Sequence, residues 1–193
     1  MKISIISKLA TIFATVVVSL SLVGLGTANA STTSPSLSGN IPNSATARPS
    51  SVPSGYNLVK NYHSGLCLHV AYGSQSSGIH IDQQKCNAND HAQAWSFPYI
   101  GGLGYQIRNY HSGLCLAINS NSNDAGAIIV QVHCSTNHAW LWVLYGGDVG
   151  ALYRNYHTGK CLVVNHASQR VGAFIVQEPC HRSYHEQEWN LTR

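Results

Sequence analysis

Three near copies of one segment constrain this chain more than any other feature in it. Asn61-Tyr62-His63-Ser64-Gly65-Leu66-Cys67-Leu68 recurs as Asn109-Tyr110-His111-Ser112-Gly113-Leu114-Cys115-Leu116 and again as Asn155-Tyr156-His157-Thr158-Gly159-Lys160-Cys161-Leu162. Each copy runs on through a polar stretch to a glycine (Gly78, Gly126, Gly172). An extended apolar run then leads to a glutamine and a second cysteine: Gln83 and Cys86, Gln131 and Cys134, Gln177 and Cys180. A tryptophan closes each copy, at Trp95, Trp142 and Trp189. Self-similarity at a fixed period marks a fold assembled from copies of one supersecondary unit, none of which can bury its apolar face alone.

The local pattern within a copy is strand and turn. Tyr105 to Tyr110 alternates apolar and polar residues, as a half-buried strand does. Leu116-Ala117-Ile118 and Ala127-Ile128-Ile129-Val130 are short β-prone runs, separated by the turn-rich Asn119 to Gly126. Leu141 to Tyr145 supplies a fourth strand. No window carries a long, capped, amphipathic helical stripe. The expectation is an all-β domain with four strands per repeat, the repeats covering about 56–100, 105–146 and 151–193.

The cysteines follow the repeat. Six cysteines can pair in many ways, and sequence does not choose among them. Symmetry favours the same bond within every copy: Cys67 with Cys86, Cys115 with Cys134, Cys161 with Cys180. Each such loop contributes on the order of 3 kcal/mol in the chain-entropy model. An even count fits an oxidising compartment, and no copy has the closely spaced thiols of a structural zinc site.

Residues 1–30 read as an export signal. Lys2 and Lys8 precede an apolar run from Leu9 to Leu25, and Ala28-Asn29-Ala30 is a small-residue cleavage pattern. Thr11, Thr15, Ser19 and Ser21 dilute the run as a membrane span, and no basic cluster follows it. Cleavage after Ala30 gives a secreted protein with no membrane attachment. Residues 31–55 are Ser/Thr/Pro-rich, with too few apolar groups to offset ordering entropy, and read as a disordered linker. Without Lys2 and Lys8, nine basic residues face seven acidic ones, a balance of +2. That offers no electrostatic reason to expect nucleic acid or an acidic membrane as a partner.

Repeats with Gly-x-Cys-Leu near the start and Gln-x-Trp near the end resemble the ricin B-type lectin family. Gln93-Ala94-Trp95 and Gln187-Glu188-Trp189 carry the signature, while the second copy departs from it with Trp140-Leu141-Trp142. The resemblance covers Tyr56 to Leu191 and implies a β-trefoil: a six-stranded barrel capped by three hairpins. It also implies that Trp95, Trp142 and Trp189 are core residues, and that Gln93 and Gln187 bond backbone in the interior.

A sugar pocket of this family has an aspartate two residues after the first cysteine, an aromatic two residues before the second, and an Asn ahead of the Gln-x-Trp glutamine. The slots here hold His69, Ala117 and Val163; Gln84, Val132 and Glu178; and Ala92, Ala139 and Glu186. The resemblance therefore implies carbohydrate binding through degenerate pockets, at weak affinity, on the order of millimolar per repeat. Repeat one is the expected principal site, through His69, Asp82, Gln84 and Gln93. Glu178, Glu186 and Gln187 of repeat three are weaker candidates, an acidic pair with Tyr184 near in sequence. Repeat two offers no polar group at these slots.

Other chemistries find less support. The seven acidic residues are scattered, with only Glu186 and Glu188 close together. No Gly-x-Ser-x-Gly, His-Glu-x-x-His or phosphate-binding loop is present. The expectation is a non-catalytic protein without cofactor or metal, His63, His111 and His157 being turn residues rather than ligands. An extracellular protein-binding or inhibitor trefoil is the alternative, through Tyr72, Tyr184 and Trp140, with Trp140 expected rather to fill core space.

Overall fold

A computed structural model describes residues 55–193, so the expected export signal and all of the expected linker but Gly55 lie outside the described residues. Twelve short strands follow one another: β1 (Leu58–Asn61), β2 (Cys67–Val70), β3 (Ile81–Gln84), β4 (Trp95–Ser96), β5 (Arg108–Asn109), β6 (Cys115–Ile118), β7 (Ile129–Val132), β8 (Trp142–Gly146), β9 (Ala151–Asn155), β10 (Cys161–Val164), β11 (Ile175–Glu178) and β12 (Glu188–Thr192). The alternation at Tyr105 to Tyr110 yields only the two-residue β5, with Tyr105 engaged through single bridges to Tyr99 and Trp142.

Pairing closes a barrel. β4 pairs β5, β8 pairs β9, β9 pairs β12 and β12 pairs β1, while the bridges Asn57 to Trp95 and Tyr105 to Trp142 join the remaining neighbours. The other six strands form three hairpins, β2–β3, β6–β7 and β10–β11, linked to one another by the bridges His80 to Val130, Asp82 to Phe174 and Ile128 to Val176. This is a β-trefoil, with each of the three cysteine pairs bonded within its own repeat.

The repeated residues hold this frame together. Trp95, Trp142 and Trp189 are buried in the common core, and each indole N–H donates to a carbonyl of its own repeat, Leu68, Leu116 and Leu162, at 3.0, 3.2 and 3.1 Å. Buried indoles need such a partner. Asn61, Asn109 and Asn155 explain the Asn of the opening motif. Each carboxamide donates across to carbonyls beside a tryptophan and accepts from amides of its own turn.

The glutamines before the second cysteines bind the repeats to each other. Gln83 Nε2 donates to the Ser168 and Arg170 carbonyls, Gln131 Nε2 to Ser74 and Ser76, and Gln177 Nε2 to Ser122 and Asp124. Each therefore pins the long hairpin loop of another repeat, and Ser64, Ser112 or Thr158 donates to its carbonyl oxygen at 2.7 Å. Buried polar side chains satisfied in this way fix position without leaving an orphaned group. The arrangement puts the loop around Val171, from repeat three, beside the hairpin of repeat one.

Candidate functional site

The outer faces of the three hairpins offer a direct comparison. Strand register pairs His69 with Asp82, Ala117 with Val130, and Val163 with Val176. Two repeats fill these slots with small apolar side chains. Repeat one fills them with an ionisable pair, His69 8% exposed and Asp82 5% exposed.

That pair is organised. The Asp82 carboxylate accepts from His69 Nδ1 at 2.7 Å and from Gln84 Nε2 at 2.9 Å. The carboxylate accepts in this contact, so Nδ1 is the donor, and the other ring nitrogen turns toward a second carboxylate. Nε2 lies 3.5 Å from Asp90 Oδ2. Asp90 is itself fixed: it caps the short 3-10 turn His91–Gln93 by accepting from the Ala92 amide at 3.0 Å, and it accepts from Gln93 Nε2 at 3.2 Å. Gln93 also donates to the Lys85 carbonyl and accepts from the Asn87 amide, as interior backbone bonding requires. A cleft of about 360 Å³ opens over this array, lined by His69, Gln84, Lys85, Asn87, Asp90 and Val171. Its walls present the Asp90 carboxylate as acceptor, Gln84 and Lys85 as donors and the His69 ring edge between them, the complement of neighbouring hydroxyl groups.

Repeat three carries a differently built cleft, also about 360 Å³. Its floor is Val163 and its walls include Glu178, Glu186, His166, His181 and Tyr184. Tyr184 occupies the turn position held by Asp90 in repeat one and Asn137 in repeat two, and it alone makes no side-chain cap. Its ring is 47% exposed and stacks on His181, with centroids 4.4 Å apart at 23°. The turn gives up a capping bond and gains an aromatic face beside two carboxylates. Gln187 stays in the frame, bonding Pro179 and His181 backbone.

The structure thus gathers His69, Asp82, Gln84 and Gln93 at one cleft and Glu178, Glu186 and Gln187 at another. Asp90 and His181 were not singled out from sequence. The run Asp90-His91-Ala92-Gln93, an acidic cap residue followed three positions later by glutamine, was the available signal for Asp90. Glu186 and Glu188 do not act together. Glu188 is fully buried and accepts from the Asp148 and Val149 amides of the β8–β9 turn. A Cβ on Gly147 would overlap that carboxylate. Trp140, expected to fill core space, is instead half-buried and outside the core cluster. It replaces the backbone-bonding glutamine, and in this repeat Gln106 Nε2 reaches the same segment by a different bond, to the Ser135 carbonyl. Among the described residues, no group of three or more His, Cys, Asp or Glu is placed to hold a metal ion. No described helix is long and apolar enough to cross a membrane.

Comparisons with known proteins agree with this architecture. A family model described as a ricin-type β-trefoil lectin domain-like domain matches residues 46–132 and 91–153. No curated protein matches the chain. Among solved structures, the designed threefold-symmetric protein ThreeFoil is 28% identical with a TM-score of 0.69, the match covering 72% of this chain and 99% of that one. An exo-β-1,3-galactanase from Clostridium thermocellum is 25% identical with a TM-score of 0.67, over 72% of this chain but only 30% of the enzyme. The C-half of an earthworm R-type lectin, solved in complex with GalNAc, is 16% identical with a TM-score of 0.56, over 72% of this chain and 98% of that one, and shows the fold alone.

Proposed function

This chain belongs to the ricin-type β-trefoil lectin domain-like family, and from that premise we propose that it is a secreted, non-catalytic carbohydrate-binding module. One observation carries the reading. Repeat one buries a His69–Asp82 pair in slots where the other two repeats bury apolar pairs. Burying ionisable groups costs desolvation that an apolar pair avoids, so the fold does not require this choice, which supports a ligand-binding role for the pair. His69, Asp82, Gln84 and Gln93, joined by Asp90, form the principal pocket. His69 Nε2, Gln84 and Asp90 meet hydroxyl groups, while Asp82 and Gln93 hold them in place. The Tyr184 face with Glu178 and Glu186 forms a weaker second pocket, with Gln187 supporting its wall.

Export rests on the residue 1–30 signal pattern and on the three disulfides, bonds that persist in oxidising compartments. The pockets are shallow, and affinity on the order of millimolar per site follows from so few contacts. A glycan array that includes galactose and N-acetylgalactosamine, together with retention on insoluble polysaccharide, tests the reading. Binding that falls at least tenfold in H69A and Q84A is the expected outcome. No retention on any glycan contradicts it.

A further inference from the structure

Tyr72 sits in a conformation that its residue type disfavours. It lies at φ 60° in the turn after β2, followed by Gly73 at φ 59°. The equivalent turns place Ser120 and Asn121, then His166 and Ala167, at positive φ. Asparagine and glycine tolerate this region, whereas a bulky aromatic enters it at a cost. Nothing in the core repays that cost, because Tyr72 is 88% exposed. Its ring instead begins a row. Tyr72 meets His80 edge-on at 5.8 Å, and His80 meets Phe174 edge-on at 4.7 Å. Phe174 is also exposed and is bridged through its backbone to Asp82, so the row ends beside the repeat-one pocket. His166, the counterpart of Tyr72 in repeat three, lines that repeat's pocket, and Phe174 shares a second shallow cleft with it.

We propose that Tyr72, His80 and Phe174 form a stacking platform that extends the repeat-one pocket, so that the ligand is an oligosaccharide chain rather than a single sugar. This rests on the carbohydrate reading of the pocket and specifies its ligand class. Sugar rings have an apolar C–H face that packs on aromatic rings and hydroxyl edges that need polar partners. A pocket of hydroxyl-directed groups adjoining a row of aromatic rings offers both in sequence. The row carries no fixed charge, which fits a neutral chain better than an anionic partner.

Immobilised length series, one to six residues of β-galactan, xylan, β-glucan and chitin oligosaccharides, test the proposal. Affinity for at least one series rises with length in the wild-type protein. Y72A and F174A each lower binding of the longer members about three- to tenfold and leave binding of the single sugar unchanged. Y72G separates ligand binding from folding: it raises the melting temperature, because glycine suits the positive φ, while lowering long-chain affinity. Length-independent binding, or variants that bind long chains as the wild type does, overturns the platform and leaves the pocket standing. Absence of binding to every series overturns both. A concentration-dependent dimer abolished by Y72A or F174A, measured by light scattering, also overturns the platform by assigning the row to a second copy of the chain.

Discussion

Repeats one and two differ most where they face outward and least where they face each other. In the frame they correspond, apart from Trp140 in the place of Gln93: Gln83 and Gln131 each pin a neighbouring loop, and Trp95 and Trp142 each bond their own β-strand carbonyl. On the outer hairpin face, His69 and Asp82 stand where Ala117 and Val130 stand, and Gln84 stands where Val132 stands. The comparison separates residues that the architecture demands three times from residues that only one repeat needs. Repeat three lies between them, with an apolar floor at Val163 and Val176 but an aromatic and acidic wall.

The frame is the place to try first to break this symmetry. Trp95→Ala, Trp142→Ala and Trp189→Ala should each cost about 3–5 kcal/mol, with similar values from urea denaturation in all three repeats. One tolerated substitution would show that the repeats do not share the core equally. A smaller effect sharpens the contrast on the outer face. Asp82→Ala leaves buried His69 without its partner and should cost about 1–3 kcal/mol, as much as Val130→Ala at the equivalent slot costs by deleting two buried methyl groups, although it removes no apolar side chain. Denaturation midpoints of the two variants decide this.

The smallest effect concerns an irregularity inside the barrel. Val59, Ile107 and Tyr153 occupy equivalent core positions, all fully buried. The Tyr153 hydroxyl has no hydrogen-bond partner among the described residues, and burial holds its phenol above the usual tyrosine range. Tyr153→Phe removes that unsatisfied group and should stabilise the protein by about 1 kcal/mol, read as a raised melting temperature. A loss of stability would mean that the hydroxyl serves the fold.

How much was legible in sequence follows the same division. Cysteines, glutamines and tryptophans were readable because each is stated three times, and their spacing placed the strands and disulfides. The clefts were only partly readable. His69 and Asp82 lie in different strands, and a period-two pattern puts both on the outer face without showing that they meet. Asp90 and Tyr184 become comparable only once the 3-10 turns exist and make them occupants of one capping position. Tyr72 reads as an ordinary exposed aromatic until its backbone angle is known. Trp140 misled for a similar reason: a tryptophan suggests core, but its slot belongs to a loop-clamping glutamine at the barrel's edge.

The central claim is that ligand chemistry was written into repeat one without altering the shared frame. The double variant H69A/D82V, which gives repeat one the outer pair of repeat two, tests this most directly when titrated with the strongest glycan from the array beside a thermal melt. The account predicts a melting temperature at or above that of the wild type and at least a tenfold loss of affinity. Undiminished binding, or a chain that no longer folds, would contradict it.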